Sequence, residues 1–211
     1  MHTRIKICGL TAPEEVEFIN RMDVDYVGFV FAESKRQVTP EKAAELSSVL
    51  SSDIKRVGVF VDHTVEEIND IARKAKLDIA QVHKNYTDDM VAKISVPVWY
   101  AVSVKDEGSI AEINKAANYE NVAGIVADSY VAGKSGGTGK TFNWDLLSGI
   151  GDDVFLILAG GLNESNIEAA IDKVRPQAVD ISSGAEISIE GRSIKSEEKV
   201  FSLVRKVKGD G

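Results

Sequence analysis

With one cysteine in 211 residues, the chain cannot form an internal disulfide, which suits a reducing compartment and leaves Cys8 as a thiol. Proline is scarce too. There are four, and no Pro/Gly/Ser-rich stretch divides the chain, so residues 1–211 are expected to build a single domain. A hydrophobic content of 44% is enough for one sizeable core. Positive charge is also in short supply: a formal net charge of −8 argues against a large nucleic-acid footprint or a polybasic membrane surface. Partners are expected to be small molecules. No apolar run approaches the roughly 18 residues of a membrane span. Met1-His2-Thr3-Arg4 leads straight into a strand pattern without a signal-type apolar region, so the expected location is the cytoplasm.

What the chain does have is alternation. β-branched runs at Arg4 to Ile7, Tyr26 to Phe31, Arg56 to Val61, Ile79 to Val82, Val98 to Val102, Val122 to Val126, Val154 to Leu158 and Ala178 to Ile181 alternate with helical patterns. The helices are expected to begin near Pro13, Pro40, Thr64, Thr87, Ser109, Asn143, Asn163 and Ser196, with starters such as Thr11, Thr39, Thr64, Asn163 and Ser196. Pro13 and Pro40 fit first-turn positions. Eight βα units of about 26 residues match the lean end of the α/β (β/α)8 TIM barrel, eight parallel strands inside a ring of helices. An open doubly wound sheet is the alternative, but it rarely needs eight consecutive units.

Four segments lie where a strand hands over to a helix: Lys6-Ile7-Cys8-Gly9; Asp128 with Gly136-Gly137-Thr138-Gly139; Ala159-Gly160-Gly161-Leu162; and Val179-Asp180-Ile181-Ser182-Ser183-Gly184. Those edges are where α/β folds keep their chemistry. Strand parity turns Ile5 and Ile7 outward and Lys6 and Cys8 inward, and on the last strand Asp180 and Ser182 share a face. First and last strands are neighbours in a closed barrel, so a buried Lys6–Asp180 pair is expected, since an unpaired ammonium inside would be costly. That ammonium would favour the Cys8 thiolate. The plainer reading of Cys8 is a small core residue.

Asp128 ends the sixth strand, where a carboxylate serves either as a loop organiser or in a site. The Gly139-Lys140-Thr141 ending looks like a phosphate-binding P-loop, but that motif needs glycine where this chain has Lys134, so nucleotide hydrolysis is not expected. A glycine lid beside the mouth is the better reading. After strands seven and eight, Gly160-Gly161 and Ser183-Gly184 can aim backbone N–H groups at an anion, and barrels often place a phosphate there.

Taken together, Lys6-Ile7-Cys8-Gly9, Gly28-Phe29-Val30-Phe31, Ser34-Lys35-Arg36, Gln81-Val82-His83, Asp128, Gly136-Gly137-Thr138-Gly139, Phe142-Asn143-Trp144 and the two glycine loops resemble the phosphoribosylanthranilate isomerases of tryptophan biosynthesis. The resemblance implies an Amadori rearrangement of N-(5-phosphoribosyl)anthranilate to 1-(2-carboxyphenylamino)-1-deoxyribulose 5-phosphate, with no metal or organic cofactor. It implies Asp128 as general acid, Cys8 as general base and Arg36 on the anthranilate carboxylate, with Gly160, Gly161, Ser183 and Gly184 around the phosphate. Lys6, Gln81, His83 and Asp180 would support them, although Gln81 and His83 could simply fill the interior. Proton donation by Asp128 near neutral pH calls for a pKa raised from about 3.9 towards roughly 6. Removal by Cys8 calls for a depressed or readily reached thiolate.

The chain departs from the family pattern at Lys84, at Asn143 and at Ser193-Ile194, which lengthens the segment before Lys195-Ser196. Two other readings stay open: a different phosphosugar isomerase or epimerase on the same loops, and a non-catalytic sugar-phosphate-binding barrel. A monomer and a homodimer fit the sequence equally.

Overall fold

The computed structural model describes residues 3–83, 85–129, 143–151, 153–189 and 191–209. Lys84, Phe142 and the expected lid with its Gly136-Gly137-Thr138-Gly139 run lie outside the described residues. Strands β1 (Arg4–Cys8), β2 (Tyr26–Val30), β3 (Lys55–Phe60), β4 (Ile79–Val82), β5 (Val98–Val104), β6 (Val122–Ser129), β7 (Leu156–Leu158) and β8 (Ala178–Ile181) form a closed barrel in sequence order. Every neighbouring pair is parallel, and β1 completes the ring by pairing with both β2 and β8.

Outside the ring run α1 (Pro13–Ile19), α2 (Pro40–Val49), α3 (Val65–Ala75), α4 (Asp88–Val91), α5 (Glu107–Ala116), α6 (Ile167–Val174) and α7 (Glu197–Lys208). Thr39, Thr64 and Ser196 cap α2, α3 and α7 by accepting from the backbone N–H groups of Lys42, Glu67 and Lys199. Elsewhere the helix starts shift. Thr11 is not the cap of α1; the Glu15 carboxylate reaches back to the Thr11 and Ala12 N–H groups instead. Asp106, not Ser109, opens α5. Asn163 precedes α6 by four residues and organises the turn before it, its Oδ1 accepting from Ser165. The helix expected near Asn143 is a 3-10 helix, Trp144–Gly149. An element the strand pattern did not predict follows β8: an antiparallel hairpin of β9 (Glu186–Ile189) and β10 (Arg192–Lys195).

Strand parity splits the apolar residues into two layers. Ile5, Ile7, Val27, Phe29, Phe60 and Ile125 face the helices, where burying each side chain is worth about 1.5–3 kcal/mol. Inside the ring, Val57, Ala101, Val126, Ile157 and Ala178 form a separate cluster with Tyr26 and Trp99. Its N-terminal end is a floor of rings. Tyr26 meets Trp99 edge-on at 4.8 Å, and Trp99 stacks with Phe155 at 6.1 Å. Arg4 donates to the Tyr26 hydroxyl at 2.8 Å and lies over the Phe155 ring. Polar side chains are left for the opposite end.

Glu15 pins the hairpin to the body. Besides capping α1, its buried carboxylate accepts from the Lys195 backbone N–H at 2.7 Å. Glu15→Ala orphans three backbone donors at once and is expected to lower unfolding stability by about 3 kcal/mol, read by urea denaturation at pH 7. A loss under about 0.5 kcal/mol, the scale of an ordinary surface substitution, would show that the carboxylate is not holding these elements.

Candidate active site

The C-terminal mouth of the barrel is built over one ion pair. Register places Lys6 opposite Asp180, and the Lys6 Nζ donates to Asp180 Oδ2 at 2.7 Å and to Gln81 Oε1 at 3.0 Å. The expected pair is therefore present, with Gln81 as a third member. Burial alone would lower the Lys6 pKa, but Asp180 and Cys8 reverse it and hold the ammonium above the ordinary lysine value. Asp180 Oδ1 is buried and has no hydrogen-bond partner among the described residues.

Cys8 stands two residues above Lys6 on the same inward face. Gly28 on β2 makes room for it, since a Cβ there would sit 2.6 Å from the Cys8 Sγ. Lys6 and Lys195 do pull the thiol pKa down, as the sequence reading expected for Lys6, but burial outweighs them and Asp180 opposes them. The net shift is upward, so the expectation of a favoured thiolate does not hold for the ligand-free protein. The reason is that the same packing that hides Lys6 also strips water from the sulfur. His83, above Gln81, is pushed down to about 4, by burial first and then by Lys6, and is neutral at pH 7.

A cavity opens at the mouth, and Cys8, Gln81, His83, Asp128 and Asp180 all line it. Asp128 enters from β6, three strands round the ring from β1. Gly160, Gly161 and Ser183 close another side. Gly160 and Gly161 hold φ of 86° and 69°, the left-handed region that glycine tolerates. At Gly184 a Cβ would lie 2.0 Å from the Leu162 carbonyl oxygen, so the loops after β7 and β8 pack backbone to backbone. Neither loop opens directly into a long helix. Four residues of turn precede α6 beyond Leu162, and Ser183–Ala185 is one 3-10 turn.

Arg36, on the loop after β2, is not a loose surface arginine. Its Nε and Nη2 donate to the two carboxylate oxygens of Glu186, at 2.5 and 2.9 Å. Its stem crosses Gly9, where a Cβ would fall 2.6 Å from the Arg36 Cδ. Lys195, whose side chain is fully buried, donates to the same carboxylate at 2.8 Å. Burial pulls Glu186 upward, yet Arg36 and Lys195 hold it at about 2, so it is ionised at any working pH. Neither Glu186 nor Lys195 was among the predicted site residues. The signal was there in Glu186-Ile187-Ser188-Ile189 and Arg192-Ser193-Ile194-Lys195, two alternating runs joined by Glu190-Gly191, a hairpin pattern that puts Glu186 and Lys195 opposite each other.

A closed (β/α)8 barrel with a thiol, a carboxylate and an arginine converging on a cavity at its C-terminal mouth is the arrangement of a barrel enzyme. The family model described as N-(5'-phosphoribosyl)anthranilate isomerase matches residues 5–206. A relative of that name from Thermoanaerobacter sp. (strain X514) is 44% identical over 207 residues, covering 98% of each chain. Among solved structures, a phosphoribosyl anthranilate isomerase from Thermotoga maritima superposes with a TM-score of 0.87 at 37% identity, covering 99% of this chain and 100% of that one. Another isomerase of this kind, in complex with reduced 1-(o-carboxyphenylamino)-1-deoxyribulose 5-phosphate, gives a TM-score of 0.83 at 35% identity over the same shares. The chain belongs to the N-(5'-phosphoribosyl)anthranilate isomerase family, and it is an isomerase.

The upward shift of Cys8 is open to direct titration. Alkylation by iodoacetamide, followed by mass spectrometry across pH 6–11, is expected to rise with a midpoint above the ordinary thiol value of about 8.5. A midpoint at or below that value would mean that the two lysines outweigh burial.

Proposed function

We propose that this barrel isomerises N-(5'-phosphoribosyl)anthranilate to 1-(2-carboxyphenylamino)-1-deoxyribulose 5-phosphate, with the whole chain as one cytoplasmic catalytic domain and Asp128 and Cys8 as acid and base. The observation that carries the reading is the convergence of Cys8 and Asp128 on one cavity with Arg36 at its rim. Protonated Asp128 donates to the ribose ring oxygen. The C1–O bond breaks, the anilino nitrogen closes a C1=N double bond, and Asp128 is left as the carboxylate. The Cys8 thiolate then takes the C2 proton, and the electron pair of that bond moves into C1=C2 and quenches the iminium charge. The resulting enolamine passes its hydroxyl proton to solvent or a neighbouring base, gains one at C1, and becomes the ketone.

The raised thiol pKa is compatible with this role. Fewer Cys8 side chains are ionised at any instant, but each thiolate is a stronger base, and the iminium has already acidified the C2 proton. Lys6 supports the charged form from below, and neutral His83 adds no competing cation. Asp180 is among the residues that line the cavity, and its buried Oδ1, which has no hydrogen-bond partner among the described residues, is an acceptor left over for a sugar hydroxyl. Backbone N–H groups around Gly160, Gly161, Ser183 and Gly184 receive the phosphate, a mode of binding that needs no lysine and suits an acidic chain. Arg36 receives the anthranilate carboxylate, which a planar fork fits better than an ammonium does. That clamp favours an aryl-carboxylate substrate over other phosphosugars.

The test is conversion of freshly prepared phosphoribosylanthranilate by wild type, Cys8→Ser and Asp128→Asn with no metal added. Each substitution is expected to lower kcat by about 10²- to 10⁴-fold while binding of the reduced product analogue persists. Wild-type binding without turnover would overturn the reading in favour of a sugar-phosphate sensor, and full turnover in either variant would remove that residue from the chemistry.

A further inference from the structure

Glu186 and Lys195 take no part in the chemistry above, yet they hold a large share of the buried charge near the mouth. The Glu186 carboxylate faces three cations: Arg36 through two hydrogen bonds, Lys195 at 2.8 Å and the half-exposed Lys35 at 3.6 Å. A buried carboxylate with one partner would neutralise it. Here two basic side chains, Arg36 and Lys195, meet one carboxylate; burial lowers the Lys195 pKa, and Glu186 opposes that shift and favours the ammonium.

The geometry of the pair is informative. A guanidinium carries five N–H donors in a flat fork with two usable edges. Glu186 occupies the edge made by Nε and Nη2, which leaves the edge made by Nη1 and Nη2 for a second anion. Among the described residues no other carboxylate lies within ion-pair distance of Arg36. Without Glu186 the long side chain, crossing a glycine with no Cβ to lean on, would sample many rotamers. The buttress is itself anchored. The Lys195 ammonium donates to the Ser182 carbonyl at 3.2 Å, and the Ser182 hydroxyl donates to the Cys8 carbonyl at 3.2 Å.

We propose that Glu186 is the positioning residue of the carboxylate clamp, fixing Arg36 so that its free edge meets the substrate's aryl carboxylate, while Lys195 anchors Glu186. This rests on the reading of Arg36 given above. Glu186 follows Gly184 by two residues, so one short segment holds both the phosphate loop and the clamp. The segment therefore sets the span between the two anionic ends of the substrate and selects for a phosphosugar carrying a carboxylate at that reach.

Steady-state kinetics on Glu186→Gln, Arg36→Lys and the double variant test this, with anthranilate and inorganic phosphate as competing probes. Glu186→Gln is expected to raise KM and the anthranilate inhibition constant by roughly 10- to 100-fold, with kcat within about threefold and the phosphate inhibition constant unchanged. Added to Arg36→Lys, it should change little more, because the two act as one unit. If Arg36→Lys raises KM and Glu186→Gln does not, the positioning role is overturned and the reading of Arg36 stands. If neither raises it, the clamp itself is overturned. Equal loss of anthranilate and phosphate binding would make Glu186 a support of the loop and not of the clamp. Should Glu186→Gln not fold, Glu186→Asp, which keeps the charge but withdraws the oxygens, is expected to give the same selective loss, and normal anthranilate binding in it would overturn the proposal.

Discussion

An ammonium enclosed by eight strands needs a counter-charge, because removing it from water costs several kcal/mol that only close pairing can offset. Lys6 and Asp180 supply that pairing across the seam where the last strand meets the first. A slip of one residue at that seam would turn one of the two groups into the apolar layer beneath the helices and leave the other unpaired inside, so the pair disfavours other registers as the barrel closes. It also divides the interior. Below it the barrel is packed with Val57, Ile157 and Ala178 and sealed by rings; above it stand the side chains that can exchange protons.

The same enclosure sets opposing demands on the groups above. Burial raises Cys8 and lowers His83, and Lys6 lowers both. For the histidine the two effects add, giving a neutral ring; for the thiol they compete, and burial prevails. Charge is distributed accordingly. Lys6 is answered by Asp180, whereas at the rim two basic side chains, Arg36 and Lys195, meet the one carboxylate of Glu186 although the chain as a whole carries −8. A substrate with two anionic ends meets local fields that the global charge does not reveal.

The barrel was legible because its strands are short β-branched runs spaced at regular intervals, and because inward and outward faces follow from parity alone. Lys6 opposite Asp180 was foreseen by that argument. The helix starts were less legible where local side chains took other roles: Glu15 caps α1 from inside the helix, and Asn163 spends its side chain on a turn. The thiol's direction of shift could not be read, since sequence shows the nearby lysine but not how completely water is excluded. Glu186 and Lys195 escaped for a different reason. Their chemistry depends on a hairpin that brings residues nine apart to one carboxylate, and the resemblance pointed to the glycines before it.

The floor of Tyr26, Trp99, Phe155 and Arg4 has one more effect. With Lys6 wholly shielded from solvent above it, the barrel is a cup and not a tube. Whatever enters must leave by the same opening. Product and the next substrate therefore cannot pass through in file, and among the described residues every turnover includes an exchange at the one mouth, on one side of which the Arg36 loop is joined to the segment after β8.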